Sequence, residues 1–227
     1  MKIDFKNINH YFLTVDTNGY RKKHMMDEFK EFNLIEVNPV MGIGKYKSGS
    51  SGFLRIIDLA LRNQDQTKPF SPFVIYEDDC SKYREWPEYI DIPDNSDILY
   101  IGLSKCSRTD NSWHLNNYYK NIDKDIIRIY NMLATHGIII CSASGALALQ
   151  KSILESYYKN IGWDIPLSQI QFYYNVYALK YPLVFQDSKY GGAEEPTKFS
   201  IDTPNDSPLP ENYINTTNDS IITCWIK

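Results

Sequence analysis

The sequence predicts an α/β fold: a single domain whose mostly parallel central sheet is flanked by helices, followed by a loop-rich C-terminal tail. Three observations predict it. From residue 11 onward, short apolar runs alternate with amphipathic segments in the order strand, helix, strand, helix, strand, the mark of parallel strands joined by crossover helices. The chain has 227 residues, of which 43% are hydrophobic and 14% aromatic. That supports one ordinary domain burying roughly 70% of its unfolded surface. No internal repeat is visible.

Each element follows from local pattern. Tyr11-Phe12-Leu13-Thr14-Val15 is an apolar run of β-formers, read as a buried strand. Asp16-Thr17-Asn18-Gly19 supplies a turn and a helix start, and Arg21 to Phe32 carries Met25, Met26, Phe29 and Phe32 near helical spacing. Leu34-Ile35-Glu36-Val37 is a second strand stopped by Asn38-Pro39. Gly42 to Gly52 reads as a loop rich in Gly and Ser, and Phe53 to Arg62 as an amphipathic helix. Strands are predicted over 72–76, 97–103, 126–131 and 137–141. Ser142 caps a helix to about Tyr158, and a further helix runs from Asp164, with Asp as cap and Pro166 in its first turn, to about Leu179. Leu183-Val184-Phe185 is a last short strand, and 203–210 is too rich in Pro, Asn, Asp and Ser to hold a regular element.

Charge and composition exclude several classes. The net charge is -4, whereas a protein that tracks a nucleic-acid backbone carries a basic surplus. The apolar runs fall far short of the roughly 20 residues that span a bilayer. Met1-Lys2-Ile3-Asp4-Phe5-Lys6 alternates charge and apolarity rather than forming a leader, so a cytoplasmic location is expected. Cys80, Cys106, Cys141 and Cys224 form no C-x-x-C pair and read as reduced, mostly buried thiols rather than zinc ligands or a redox dithiol.

Glu77-Asp78-Asp79 is the sharpest chemical feature. Three acids directly follow an apolar strand, which puts them at its carboxyl end, where α/β sheets bind ligands. Adjacent carboxylates repel unless a cation sits among them, and hard oxygen ligands suit Mg²⁺ or Mn²⁺; the plain alternative is a solvated acidic turn. Gly42-Ile43-Gly44-Lys45 lacks the spacing of a Walker loop, because position 39 is Pro and Tyr46 follows the Lys. It reads as a connection with room for a minor nucleotide contact through Lys45. Arg21, just beyond the first strand, is either a phosphate ligand or a surface residue. His136, at a strand edge, is either structural or functional, and Asp164 is explained by capping or by proximity to a site. Trp113-His114 and Asn116-Asn117-Tyr118-Tyr119 would suit a sugar face, though core or surface packing explains them equally. Asn-x-Ser/Thr triplets at Asn205, Asn215 and Asn218 read as chance.

Taken in order, these segments resemble glycosyltransferase family 25. Tyr11 to Asp16 with Arg21 looks like that family's first strand and Arg-led helix, and Val37-Asn38-Pro39-Val40-Met41-Gly42 like the end of its second strand. Val74-Ile75-Tyr76-Glu77-Asp78-Asp79 is similar to its metal motif, and 97–102 to the strand that follows. Residues 135–146 resemble its A-x-G-Y-x-I-S-x-x-G-A stretch, with Ile138 in place of the aromatic. Asp164 resembles a later family Asp, and Pro182-Leu183-Val184-Phe185-Gln186 its closing P-x-x-x-Q. Gly52-Phe53-Leu54-Arg55 stands where the family has Ser-His.

The resemblance implies a GT-A-like, Rossmann-like domain over 1–190 that binds a nucleotide-sugar, with 191–227 as a tail or lid packed on it. It implies transfer of a sugar from a nucleotide-diphosphate sugar, UDP-sugar favoured, to a hydroxyl of a glycan or glycoprotein acceptor, with inversion. Mn²⁺ or Mg²⁺ is expected on Asp79 with Glu77, donor contacts on Arg21, Lys45, Glu77 and Asp78, and catalytic groups at Asp164, as base, and His136. Two other classes remain: a catalytically silent carbohydrate-binding or structural protein on the same fold, and a metal-dependent phosphoryl-transfer enzyme.

Overall fold

The computed structural model describes residues 1–15, 19–104, 106–109, 112–114 and 118–192. A short strand, β1 (Lys2–Asp4), precedes the first apolar run, which forms β2 (Asn9–Leu13). Helix α1 (Tyr20–Glu28) leads to β3 (Leu34–Val37), and α2 (Lys45–Arg62) to β4 (Phe73–Glu77). Short strands follow: β5 (Cys80–Lys82), β6 (Tyr89–Asp91), β7 (Ile98–Tyr100), β8 (Ser107–Thr109), β9 (Ser112–His114) and β10 (Tyr119–Asn121). Strands β11 (Ile126–Ile129) and β12 (Gly137–Ile140) precede α3 (Ala143–Lys159) and α4 (Asp164–Ile170), and β13 (Val176–Leu179) and β14 (Val184–Gln186) end the regular structure.

Eight strands form one mixed sheet in the order β10-β11-β13-β7-β12-β4-β2-β3. The half that holds β3, β2 and β4 is parallel, as expected. The rest is not mostly parallel. β12 lies antiparallel between β4 and β7, and β11 is antiparallel to both β10 and β13; only β13 and β7 restore a parallel pair. The apolar run at 137–141 announces burial on both faces, but such a run reads the same whichever way it points.

The parallel half explains where a ligand cavity forms. The chain leaves β2 for β3 through α1 and leaves β3 for β4, on the other side of β2, through α2. Right-handed crossovers in opposite directions put the two helices on opposite faces. The core confirms this. Tyr11, Leu13 and Ile75 pack with Phe53, Ile56 and Ile57 of α2, Leu149 and Ile153 of α3, and Leu167 of α4. Phe12, Val74 and Tyr76 point the other way, onto Met25, Phe29 and Phe32. Beyond the carboxyl ends of β2 and β4 the helices diverge and leave a crevice.

Two boundaries differ from the sequence reading. Helix α2 begins at Lys45, so most of the expected Gly/Ser loop is helical. Its small residues are needed for close approach: a Cβ at Gly49 would stand 2.1 Å from Trp163 Cζ3, and one at Gly52 2.0 Å from Leu13 Cδ1. Ser50 bonds Ser156 of α3 at 2.9 Å. Tertiary packing here outweighs the weak helix propensity of Gly and Ser. Helix α4 stops at Ile170 rather than near 179, because Val176–Leu179 is recruited as a strand between β7 and β11. Nor is Asp164 the cap of α4: Trp163 holds that position and no side chain caps it. Ser142 does cap α3, accepting from Gly145 N at 2.9 Å.

The turn at 16–18, the amides Asn116 and Asn117, Cys224 and the tail from 193, with its three Asn triplets, lie outside the described residues. Among the described residues, no helix is long and apolar enough to cross a membrane.

Candidate functional site

A cavity of about 570 Å³ opens beyond the carboxyl ends of β2 and β4. Leu13, Val15, Arg21, Lys45, Tyr46, Glu77, Asp78, Asp79, Thr135, Trp163, Asp164 and Gln186 are among its lining residues. The fold thus brings together Arg21, Lys45, the three acids and Asp164, although 143 positions separate Arg21 from Asp164. A larger groove, about 620 Å³, runs along Phe5, Phe32 and 82–88 and holds none of these residues.

The three acids take different roles. Glu77 is the last residue of β4, paired with Leu13. Its Oε1 accepts from Trp163 Nε1 at 2.9 Å and from the Thr135 hydroxyl, and its Oε2 accepts from Gln186 Nε2 at 3.1 Å. Asp78 turns toward the end of β2. Its Oδ2 accepts from Thr14 Oγ1 at 2.9 Å and Val15 N at 3.1 Å, and its Oδ1 pairs with Arg21 at 2.8 Å. Asp79 is buried and lines the cavity, and among the described residues its Oδ1 has no hydrogen-bond partner. Burial, first, and then repulsion by a neighbouring carboxylate, Asp79 for Glu77 and Asp78 for Asp79, push both carboxyls above the ordinary carboxylate range.

An orphaned buried carboxylate oxygen among like charges is what a hard cation would satisfy. Asp79 fits one directly, whereas Glu77 already spends both oxygens on neutral donors. Among the described residues, no three His, Cys, Asp or Glu side chains converge on a common point. A cation here would have one or two carboxylates at most, the number on which Mg²⁺ sites completed by water or phosphate rest.

The opposite wall is cationic. Gly44, at φ +96° and ψ 153°, makes a bend closed to side-chain-bearing residues and delivers Lys45 to the start of α2. Lys45 lines the cavity at the first turn of α2, which no side-chain cap closes among the described residues. The Arg21 charge is matched by Asp78.

Asp164 lines the cavity, and its Oδ2 accepts a long bond, 3.4 Å, from Ala134 N. Ala134 has φ +80°, a left-handed conformation that costs a non-glycine residue about 1–2 kcal/mol. This strained residue turns the chain so that Thr135 reaches Glu77. His136, the next residue, is not brought to the cavity. It is 1% exposed, neither ring nitrogen has a hydrogen-bond partner among the described residues, and its ring fills the space over Gly102. Burial pushes its pKa down to about 4, so it is a neutral packing residue at physiological pH.

Sequence reasoning missed Trp163 and Tyr46 as cavity residues, and gave no role to Thr14, Thr135 or Gln186. Trp163 precedes Asp164 directly, and that adjacency was the one available signal. Cys106 lines the cavity, while Cys80 and Cys141 are buried. No protein-family model matches the chain, and no curated protein matches it.

Proposed function

We propose that this chain is a metal-dependent glycosyltransferase of GT-A-like fold. It moves a sugar from a nucleotide-diphosphate sugar, a UDP-sugar by preference, to a hydroxyl of a glycan or glycoprotein acceptor, with inversion. One observation carries the reading. Buried acids and two cationic groups share a single cavity at the carboxyl ends of parallel strands, and one acid oxygen there lacks a partner among the described residues. The order of motifs resembling glycosyltransferase family 25 points the same way.

Asp79 would hold Mn²⁺ or Mg²⁺, with Glu77 beside it. When bound, the metal supplies a Lewis acid that offsets charge on the leaving diphosphate. Lys45 and the first turn of α2 add positive potential at the same end. Asp164 takes the proton of the attacking acceptor hydroxyl, the role an inverting displacement requires of a nearby carboxylate.

The test is thermal unfolding against UDP, GDP, CMP and TDP, each with and without Mn²⁺. A ligand at about 100 times its Kd adds roughly 2.7 kcal/mol, which for this size is a shift on the order of 5–10 °C. The expected result is a shift with one nucleotide, present only with metal and lost in Asp79→Asn. The silent carbohydrate-binding reading is favoured by the absence of a three-ligand group among the described residues. It predicts no shift with any nucleotide and glycan binding that survives Asp79→Asn.

A further inference from the structure

We propose that Trp163 is the residue that meets the ring of the transferred sugar and so sets which donor the cavity accepts. The proposal rests on the glycosyltransferase reading and deepens it.

The indole occupies a defined place between the two ends of the chemistry. Its Nε1 donates to Glu77 Oε1 at 2.9 Å and lies 2.7 Å from Thr135 Oγ1. Glu77 adjoins the candidate metal ligand, and Asp164, the candidate base, is the next residue in the chain. Trp163, Glu77, Asp79 and Asp164 all line the one cavity, so a sugar held between the candidate metal ligand and the candidate base lies against the residues that hold the indole.

Its orientation is fixed on three sides. Gly49 of α2 lies so close to the ring that a methyl there would stand 2.1 Å from Cζ3 and 2.6 Å from Cη2. Phe53 packs at 5.4 Å between ring centroids, and the N–H is held by Glu77 and Thr135. Yet Trp163 is only half-buried and lines the cavity. Because the N–H is spent, the indole offers a ligand no hydrogen bond, only carbon and π-surface. The neighbouring Asp164 and Gln186 supply polar groups. A rigid apolar plane edged by a carboxylate and an amide complements a pyranose. The sugar's C–H face carries slight positive charge and suits the negative face of an aromatic ring, and its hydroxyls reach the polar edge.

Glu77 is then a positioning residue for this plane. It receives Trp163, Thr135 and Gln186 and holds them in one arrangement.

The experiment compares bare nucleotides with sugar nucleotides, using the pairs UDP and UDP-glucose, UDP and UDP-galactose, and GDP and GDP-mannose, in Mn²⁺. Affinities are measured by calorimetry on the wild type and Trp163→Leu. In the wild type, at least one sugar nucleotide is expected to bind several-fold tighter than its bare nucleotide. Trp163→Leu is expected to lose at least five-fold of that increment while bare-nucleotide affinity stays within two-fold. A merely structural role would weaken both alike, and that result overturns the proposal. Should Trp163→Leu not fold, the indole's own emission is isolated as the difference between wild type and Trp163→Phe. The sugar nucleotide must change that emission and the bare nucleotide must not. An equal response to both would mean the ring meets the nucleobase, which overturns the proposal but leaves the glycosyltransferase reading intact. If no nucleotide binds the wild type, that reading falls and the proposal falls with it.

Discussion

Arg21 reaches from the first turn of α1 to Asp78, with Nη1 2.8 Å from Oδ1, and that ion pair ties the end of β4 to the helix that leaves β2. The other oxygen of Asp78 is filled by Thr14 and Val15 from the end of β2 itself. Asp78 is therefore committed to the scaffold, whereas Asp79, one residue on, is buried with an oxygen to spare.

Neighbouring acids should thus respond to mutation in opposite directions. Asp78→Ala leaves the Thr14 hydroxyl, the Val15 amide and a half-buried guanidinium without their acceptor, and it should cost about 3 kcal/mol or more. Asp79→Asn removes a buried charge that its neighbours repel and should leave stability in EDTA unchanged or raise it. Urea midpoints at pH 7 read both. A loss of stability in Asp79→Asn that matches Asp78→Ala would show both acids to be structural.

Close approaches of α2 and α3 give a second contrast. Helical Gly→Ala gains about 1 kcal/mol where space is open. At Gly145 the new methyl would stand 2.1 Å from the backbone carbonyl oxygen of Asp97, which cannot swing aside. At Gly49 it would meet the Trp163 ring, a side chain that gives way only by straining its N–H bonds to Glu77 and Thr135. Gly145→Ala should lose about 1–3 kcal/mol. Gly49→Ala should lose less and shift the emission of Trp163. Equal losses in denaturant midpoint would show the indole to be as immovable as backbone.

Much of the parallel half was legible in the sequence, because β2, β3 and β4 are apolar runs bounded by turn residues and separated by helical pattern. The antiparallel half was not, since β12 is buried on both faces and its composition holds no direction. The short strands β1, β5 and β6 were missed as well, although β14, their three-residue counterpart near the end, was read. Most strands of three residues carry too little periodicity to be read. The start of α2 was hidden for a different reason. Gly49 and Gly52 look like loop residues until Trp163 and Leu13 are seen against them.

The site divided in the same way. Glu77, Asp78 and Asp79 were legible because they stand at the end of a strand, and Arg21 because it opens the helix after one, where topology places them over the crevice. Trp163, Gln186 and Thr14 come from distant segments and gain meaning only through what they touch. His136, beside a strand end, was open to a structural or a functional reading. A single sequence cannot distinguish a His facing a cavity from one facing a packed wall.

The pH dependence of stability offers the last test and separates the two buried histidines. Burial holds both His10 and His136 near pKa 4, against 6.5 for a free side chain. The native state therefore stays neutral at these positions while the unfolded chain takes up protons as pH falls below about 6.5. Each histidine should cost about 2 kcal/mol of stability between pH 8 and pH 5. The raised carboxyls at Glu77 and Asp79 act the opposite way, gaining stability as pH falls, so the variants rather than the wild-type slope carry the information. His136 makes no hydrogen bond among the described residues, so His136→Leu should change little at pH 8 and should gain about 2 kcal/mol on the wild type by pH 5. His10 differs, because its ring nitrogens bond Tyr76 Oη at 2.7 Å and the Phe5 carbonyl at 2.8 Å. His10→Leu strands both groups and should cost about 2–4 kcal/mol at pH 8, with part of that recovered at pH 5. Denaturant titrations at the two pH values decide it. If the gap between wild type and His136→Leu does not move with pH, His136 takes up its proton in the native state and must have a polar route to water.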